Sequence, residues 1–465
     1  MASNAFALPS QPELLQRWAG EDIADLPKPA AVIDRAIVRR NCERMNRTIK
    51  TLGVEFRAHV KTHKTLEIAK LQLDKENQTP KFIASTLLEI ETLIGLLAGL
   101  KRAGRSPNIL YGIPLVPSHV PRLAELAAAI GEDSVAVMID HPDQIQFLQN
   151  FSAKAKFPAC VFVKVDTGYH RAGLPPASLN KNGLLEKLAE AEQAGHAKFL
   201  GLYSHSSLSY NANTAEEAMR YLIGEIQGCK IALNRWLPLL PKDRELIISV
   251  GATPQAMSSH NLVQGSSSPE ADELRALLRE PCAEQNEASV KIELHAGNYP
   301  ILDIQQATTN ARQGAGSFEE EIAMSVVAEV CSVYQDGERD VPEALVAAGT
   351  LALGREPCPS YPGWGYLSNW RMKGEAKSGK DRLFVARISQ EHSIIAWEDS
   401  KKDGMPLSVG QVVKIYPNHS CVTGSFYGWY FVVDSDLEDA SRVVDIWVRG
   451  RGGELTDPLA MTRFQ

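Results

Sequence analysis

The chain has 465 residues, enough for two sizeable domains. Its formal charge of -7 gives no electrostatic reason to expect nucleic acid as a partner. Seven cysteines without paired spacing exclude a disulfide framework and fit reduced thiols in the cytoplasm. The first residues, MASNAFALPSQPELLQRW, lack the basic start and apolar core of a signal peptide. The longest apolar stretch, near Leu93 to Leu100, is broken by Gly95 and Gly99, so no membrane span is expected.

Residues 1–35 read as an arm with a Pro-rich end, DLPKPA, followed by a strand, AAVID, that packs with the β-rich domain. A helix follows from about Ala36 to Leu52, stopped by Gly53. Strand candidates then recur at 54–60, 81–85, 108–111, 135–139, 160–166, 198–204, 246–250 and 290–294, with helical patterns between them, for example at 87–100, 178–195 and 214–237. In the first strand Val54, Phe56, Ala58 and Val60 alternate with polar neighbours, as a strand with one buried face does. Eight strands over 36–303 predict a (β/α)8 barrel in preference to a doubly wound open sheet. Gln255 to Ser289, which contains SSSPEADELRALL, breaks the rhythm and reads as a surface excursion with room for one helix. Over 304–465, β-branched runs at 325–334, 383–389, 411–416 and 430–434 are separated by Gly, Pro and Asp and predict a second, β-rich domain. The stretch REPCPSYPGWGYLSNW is too loop-like to be core.

What ends each strand carries the chemistry. Strand one runs into His59, Lys61 and His63, and strand five into KVDTGYHRAG with Asp166, His170 and Arg171. Strand six ends in YSHSS with His205 and Ser207, strand seven in SVGATP, and strand eight in ELHAGNY. In a barrel all carboxyl ends converge on one mouth, so these residues share a pocket. The turns Gly251-Ala252-Thr253 and Gly297-Asn298-Tyr299 have the small residues that let backbone amides approach a phosphate, at the usual phosphate corner of such barrels. A lysine beside a phosphate cradle suggests pyridoxal phosphate held as a Schiff base, though a sugar-phosphate aldolase would use the same parts.

In the second domain PNHSC places His419 and Cys421 two residues apart. On an extended segment both would face one side, and His plus Cys suits zinc. No nearby Cys or His completes a structural site, so a metal here would keep open positions, the catalytic arrangement. Glu391 and His392 form a second polar spot that a solvated surface pair explains equally well.

Together these residues resemble the alanine-racemase-like, fold-type III pyridoxal phosphate enzymes, and among them the eukaryotic-type zinc-dependent D-serine dehydratases. RAHVKTHKTLEIAKLQ is similar to that group's cofactor-lysine segment, which implies that role for Lys61. KVDTGYHRAG resembles the segment that offers an arginine, here Arg171, to the cofactor's phenolic oxygen. YSHSS matches the turn whose histidine, here His205, lies by the pyridine ring. The glycine turns imply phosphate contacts from Gly251, Thr253, Gly297, Asn298 and Tyr299, and PNHSC implies zinc on His419 and Cys421. Gln255 departs from the ATPT that usually follows the phosphate turn in the family, and no segment matches the tyrosine base of the racemases. The resemblance implies dehydration of D-serine to pyruvate and ammonia, a small D-amino acid as substrate, and a homodimer. D-threonine aldolase is the nearest rival; its metal motif resembles H-x-D, a harder ligand pair than His419 and Cys421. A non-catalytic pyridoxal-phosphate-binding protein is the alternative of another class.

Overall fold

The computed structural model describes residues 9–241, 244–279, 289–372, 382–399 and 404–450. Cys282 and part of the excursion after Gln255 lie outside the described residues. The chain divides into two compact units, one built mainly from residues 42–299 and one from residues 1–41, 300–308 and 315–449.

The first strand, β1 (Ala30–Asp34), belongs to the second of these units, and the next eight form the first. They are β2 (Glu55–His59), β3 (Lys81–Ala84), β4 (Asn108–Pro114), β5 (Val135–Ile139), β6 (Ala159–Lys164), β7 (Ala197–Tyr203), β8 (Leu246–Val250) and β9 (Val290–Ala296). Each pairs in parallel with the next, and β9 pairs with β2, so the sheet closes as the barrel the alternation predicts. Helices such as Leu87–Arg102 and Ala215–Trp236 fill the crossovers that parallel pairing requires.

The expectation of one buried face over 54–60, the strand that is β2, needs correction. Arg57, on the polar side of the alternation, is only 1% exposed. Closing the sheet leaves that side facing the barrel interior instead of solvent. Arg57 meets Glu293 there, with Nε 2.7 Å from Oε1, and reaches Asn108 Oδ1 at 2.6 Å. Lys81 Nζ adds a second cation 2.9 Å from the other Glu293 oxygen. Although burial opposes ionisation, Arg57 and Lys81 hold the Glu293 carboxyl far below the usual carboxylate range.

The segment after Gln255 is less superficial than its composition suggests. Gln255, Ser258, Ser259 and Asn261 are buried, and short helices Thr253–Ser258 and His260–Val263 precede the helix Pro269–Arg279. Internal hydrogen bonds compensate the polar groups of the last three residues: the Ser258 and Ser259 hydroxyls donate to the Gln255 and Ala256 carbonyls, and the Asn261 amide to the Ala311 carbonyl.

The β-rich unit holds β10 (Met324–Tyr334), β11 (Glu343–Val346), β12 (Gly365–Leu367), β13 (Leu383–Ile388), β14 (Ser393–Trp397), β15 (Val412–Pro417), β16 (Trp429–Val433) and β17 (Asp445–Val448). With β1 they form one sheet in the order β11-β14-β13-β12-β15-β10-β1-β16-β17. An extra pairing of β10 with β11 closes six of these strands around a core that includes Val326, Val346, Val385, Ile395 and Ile415. β1 lies antiparallel to β10 and parallel to β16, and the helix Gln11–Trp18 covers Phe431 and Ile446 with Leu14 and Trp18.

Removing one partner of a buried ion pair leaves an uncompensated charge. Glu293→Gln is therefore expected to lower the unfolding free energy by about 3–5 kcal/mol. The check is the urea midpoint of the variant against the parent.

Candidate active site

Lys61 sits in a tight turn beyond the carboxyl end of β2, closed by a hydrogen bond of 2.8 Å from the Lys64 amide to the Val60 carbonyl. Lys64 takes a left-handed backbone with φ 54°, and Thr65 then caps the helix Leu66–Leu71 by accepting the Ile68 amide. Two histidines brace the turn, His63 buried and His59 partly buried. His59 Nδ1 accepts the Lys61 amide at 3.3 Å, and His63 Nδ1 accepts the Thr65 amide at 3.1 Å. Their outer nitrogens reach Ser85 Oγ at 3.2 Å and Gln72 Oε1 at 3.1 Å. The lysine is thus presented on a small, rigid loop.

The two glycine turns lie together and are bonded to each other: Thr253 Oγ1 accepts the Asn298 amide at 3.0 Å. Gly251 has φ 135°, and a Cβ there would stand 2.6 Å from the His295 carbonyl oxygen, so only glycine fits. A Cβ on Gly297 would crowd the Cβ of His59 at 3.0 Å. The Gly251 backbone is engaged on both sides. Its amide donates to Glu225 Oε2 at 3.0 Å, and its carbonyl oxygen lies 2.6 Å from His205 Nδ1. Tyr299 is buried with its ring edge-on to Phe56 at 5.5 Å and its hydroxyl against Gln72 and Cys42.

Glu225 is a member of the site that no motif marks. It lies inside the helix Ala215–Trp236, where an amphipathic pattern reads a glutamate as solvated, yet it is 2% exposed. Besides the Gly251 amide it accepts the Gln255 side-chain amide at 3.2 Å and the Ser204 hydroxyl at 3.2 Å. Burial pushes its pKa up to about 7, against the opposing charge of Lys164 and these hydrogen bonds. Lys164, at the end of β6, is buried with its ammonium 5.1 Å from the Tyr203 ring centroid, and burial lowers its pKa to about 8 while Glu225 raises it.

His205 and His295 face each other with Nδ1 and Nε2 3.3 Å apart. Tyr203 stacks on His295 with centroids 4.5 Å apart and planes 3° from parallel. His295 falls within β9, which runs two residues beyond the expected 290–294; that extension carries it into the barrel. Burial lowers the His295 pKa to about 3 against the opposing charge of Glu293, with help from Lys164 and Arg57, and burial with His295 and Lys61 holds His205 well below the ordinary range. Arg171 is exposed on the loop after β6, 5.3 Å over the Tyr169 ring, and its charge is felt by Lys164, Tyr203 and His205. Asp166 and His170 clasp one another at 2.8 Å in that loop, and Ser207 precedes a short turn without a side-chain capping bond.

In the β-rich unit, His419 and Cys421 lie close together, though not by strand alternation. β15 ends at Pro417, His419 is the N-cap of the short helix Ser420–Ser425, and Cys421 lies in its first turn. The turn is pinned by Asp303, which accepts the Ser420 amide at 2.8 Å, and by Asn418, which donates to the Glu356 and Gly363 carbonyls. His419 Nδ1 is buried and makes no hydrogen bond. Burial opposes its protonation, but the Cys421 thiol and the charges of Asp303 and Glu356 outweigh it and raise the pKa to about 9. Among the described residues no cluster of three or more His, Cys, Asp or Glu could hold a metal, so this pair is two donors and not a closed site. Among the described residues no helix is long and apolar enough to cross a membrane.

Because the folded pKa of Glu225 lies above its unfolded value of 4.5, its proton-linked stability is present below that value and is lost as pH rises through about 7. Glu225→Gln carries no such proton. Its melting temperature is expected to gain on the parent's between about pH 4.5 and about pH 7. Parallel melting profiles would contradict a titrating buried carboxylate.

The family model described as "Alanine racemase, N-terminal domain" matches residues 33–259, and that described as "Putative serine dehydratase domain" matches residues 323–433. The D-serine dehydratase of Schizosaccharomyces pombe is 34% identical over 446 residues, covering 95% of each chain, and that of Saccharomyces cerevisiae is 29% identical, covering 94% of this chain and 98% of the other. The D-threo-3-hydroxyaspartate dehydratase of Delftia is 25% identical, covering 90% of this chain and 96% of its own. Among solved structures, an alanine-racemase-like protein from Idiomarina loihiensis has a TM-score of 0.70 at 26% identity, covering 94% of this chain and 100% of the other. Barrel, lysine turn and near full-length similarity agree: the chain belongs to the D-serine dehydratase family.

Proposed function

We propose that the protein dehydrates D-serine to pyruvate and ammonia, with pyridoxal phosphate on Lys61 and zinc on His419 and Cys421. One observation carries this reading: Lys61 is held on a braced turn at a barrel mouth that also contains two interlocked glycine turns, in a chain 34% identical to a D-serine dehydratase over 95% of its length. The residues fit both groups. Gly251, where a Cβ would collide with the His295 carbonyl, and Gly297, where it would be crowded by His59, leave bare backbone in these turns, and bare backbone suits a phosphate. A buried His419 nitrogen without a hydrogen bond, beside a thiol, is a donor pair suited to zinc.

When bound, pyridoxal phosphate supplies an electron sink for the charge left on Cα, and zinc supplies a Lewis acid for a departing hydroxide. The remaining work belongs to the chain. Lys61 Nζ takes the α-proton, and the turn braced by His59 and His63 keeps that amine at one place. The Thr253 and Asn298 turns hold the phosphate end, with Gly251 anchored from behind by Glu225. Tyr299 supports this corner by packing on Phe56. Arg171 places a positive charge beside the mouth for the phenolic oxygen, and His205 presents an uncharged ring. Loss of water leaves 2-aminoacrylate, which hydrolyses to pyruvate and ammonia. A cytoplasmic homodimer completes the reading, on the family resemblance.

Lys61→Ala is expected to abolish the visible imine band of the purified protein; a retained band would refute the assignment of Lys61. Chelation is expected to stop pyruvate release from D-serine while leaving that band, and zinc to restore it. Chelator-insensitive release would remove zinc from the reading. D-threonine decides against the aldolase: 2-oxobutyrate is the expected product, and glycine plus acetaldehyde the contrary one.

A further inference from the structure

We infer that Ser249 and Glu293 are positioning residues that fix the proton on Nδ1 of His205, through His295, so that His205 Nε2 meets the barrel mouth as a hydrogen-bond acceptor. The inference rests on reading that mouth as the active site.

The direction of the chain follows from its two ends. The Gly251 carbonyl oxygen can only accept, so the His205 nitrogen 2.6 Å from it carries hydrogen. Two N–H groups facing each other would repel, so His295 Nε2, 3.3 Å from that nitrogen, presents its lone pair. A neutral His295 then carries its proton on Nδ1, 3.2 Å from Ser249 Oγ. The Ser249 hydroxyl donates in turn to Glu293 Oε1 at 2.8 Å. Glu293 stays a pure acceptor because Arg57 and Lys81 flank its two oxygens. Tyr203 stacked on His295 stops that ring from turning away.

The neighbouring histidines have the opposite form. His59 and His63 each accept a backbone amide on Nδ1, so a neutral ring bears its proton on Nε2. One barrel mouth therefore holds four histidines in two tautomers: backbone groups face His59, His63 and His205, and Ser249 faces His295, the ring that receives the His205 proton. Burial and nearby cations keep His205 and His295 neutral. His295 is buried, whereas His205 is partly exposed and is the ring that can meet a bound molecule. With an Nε2 lone pair it accepts from an N–H or O–H of cofactor or substrate and has no proton there to give. A reversed tautomer would offer a donor instead and would leave the Gly251 carbonyl facing a lone pair.

The test is long-range proton–nitrogen NMR on the holoenzyme with ¹⁵N-labelled histidine, each ring assigned by its own His→Gln variant. His205 and His295 are expected as Nδ1–H tautomers, and His59 and His63 as Nε2–H. His205 found as the Nε2–H form or as imidazolium at neutral pH would overturn the proposal. Ser249→Ala cuts the chain at its smallest member. It is expected to move His295 toward the Nε2–H form, to keep the cofactor band, and to lower kcat by about tenfold to a hundredfold with KM changed by less than about twofold. Ser249→Thr, which restores the hydroxyl, is expected to recover the parent's nitrogen shifts; unchanged shifts in Ser249→Ala would also overturn it. If Ser249→Ala does not fold, the parent spectrum alone decides. These tautomers are read without turnover, so a parent that shows them but releases no pyruvate from D-serine supports the chain and defeats the proposed activity.

Discussion

A carboxylate in the middle of a closed barrel is untenable unless cations come with it. Glu293 sits there between Arg57 and Lys81, and much of the site inherits its arrangement from that contact. The pair lies on neighbouring strands, β9 and β2, so the seam that closes the barrel also carries the ion pair. With a cation on each oxygen the carboxylate can only accept, so the Ser249 hydroxyl donates to Oε1 and turns its own lone pair to the imidazole of His295. Charge neutralised deep in the barrel becomes hydrogen-bond polarity at its mouth.

The second buried carboxylate works differently. Among the described residues no guanidinium pairs with Glu225; it spends its oxygens on the Gly251 amide, the Gln255 side chain and the Ser204 hydroxyl, and the charge of Lys164 favours its ionisation. Two glutamates in one barrel thus end with pKa values displaced in opposite directions, one by ion pairing and one by burial. Gln255, which departs from the family's usual residue, is explained locally: its amide helps satisfy a carboxylate that also grips the turn before it.

Barrel strands were legible because parallel strands bounded by turns produce a strong apolar rhythm, and 135–139 and 246–250 coincide with β5 and β8. Motifs at strand ends were legible for the same reason: they follow the apolar run directly. Interior polar residues were hidden. Arg57 and Glu293 occupy alternate positions that in an open sheet would face water, and only closure makes them core. Glu225 depends on a helix face whose partner lies far along the chain. In the β-rich unit, β11, β12, β14 and β17 span only three to five residues each, too few to impose a period of their own. The His419–Cys421 proximity was readable, but its cause was not, since a strand end and a helix cap are indistinguishable from the spacing alone.

The position of β1 has a consequence for biosynthesis. Its hydrogen-bonding partners are β10 and β16, so a strand emerging among the first 34 residues waits for segments beyond residue 323 and beyond residue 428. Everything needed for the eight barrel strands leaves the ribosome in that interval. Domains generally fold as units during synthesis. Here the barrel segment can mature first, while β1 remains an apolar, unpaired edge until β10 and β16 have been made. That interval is when the nascent chain is most exposed to aggregation and most dependent on chaperones.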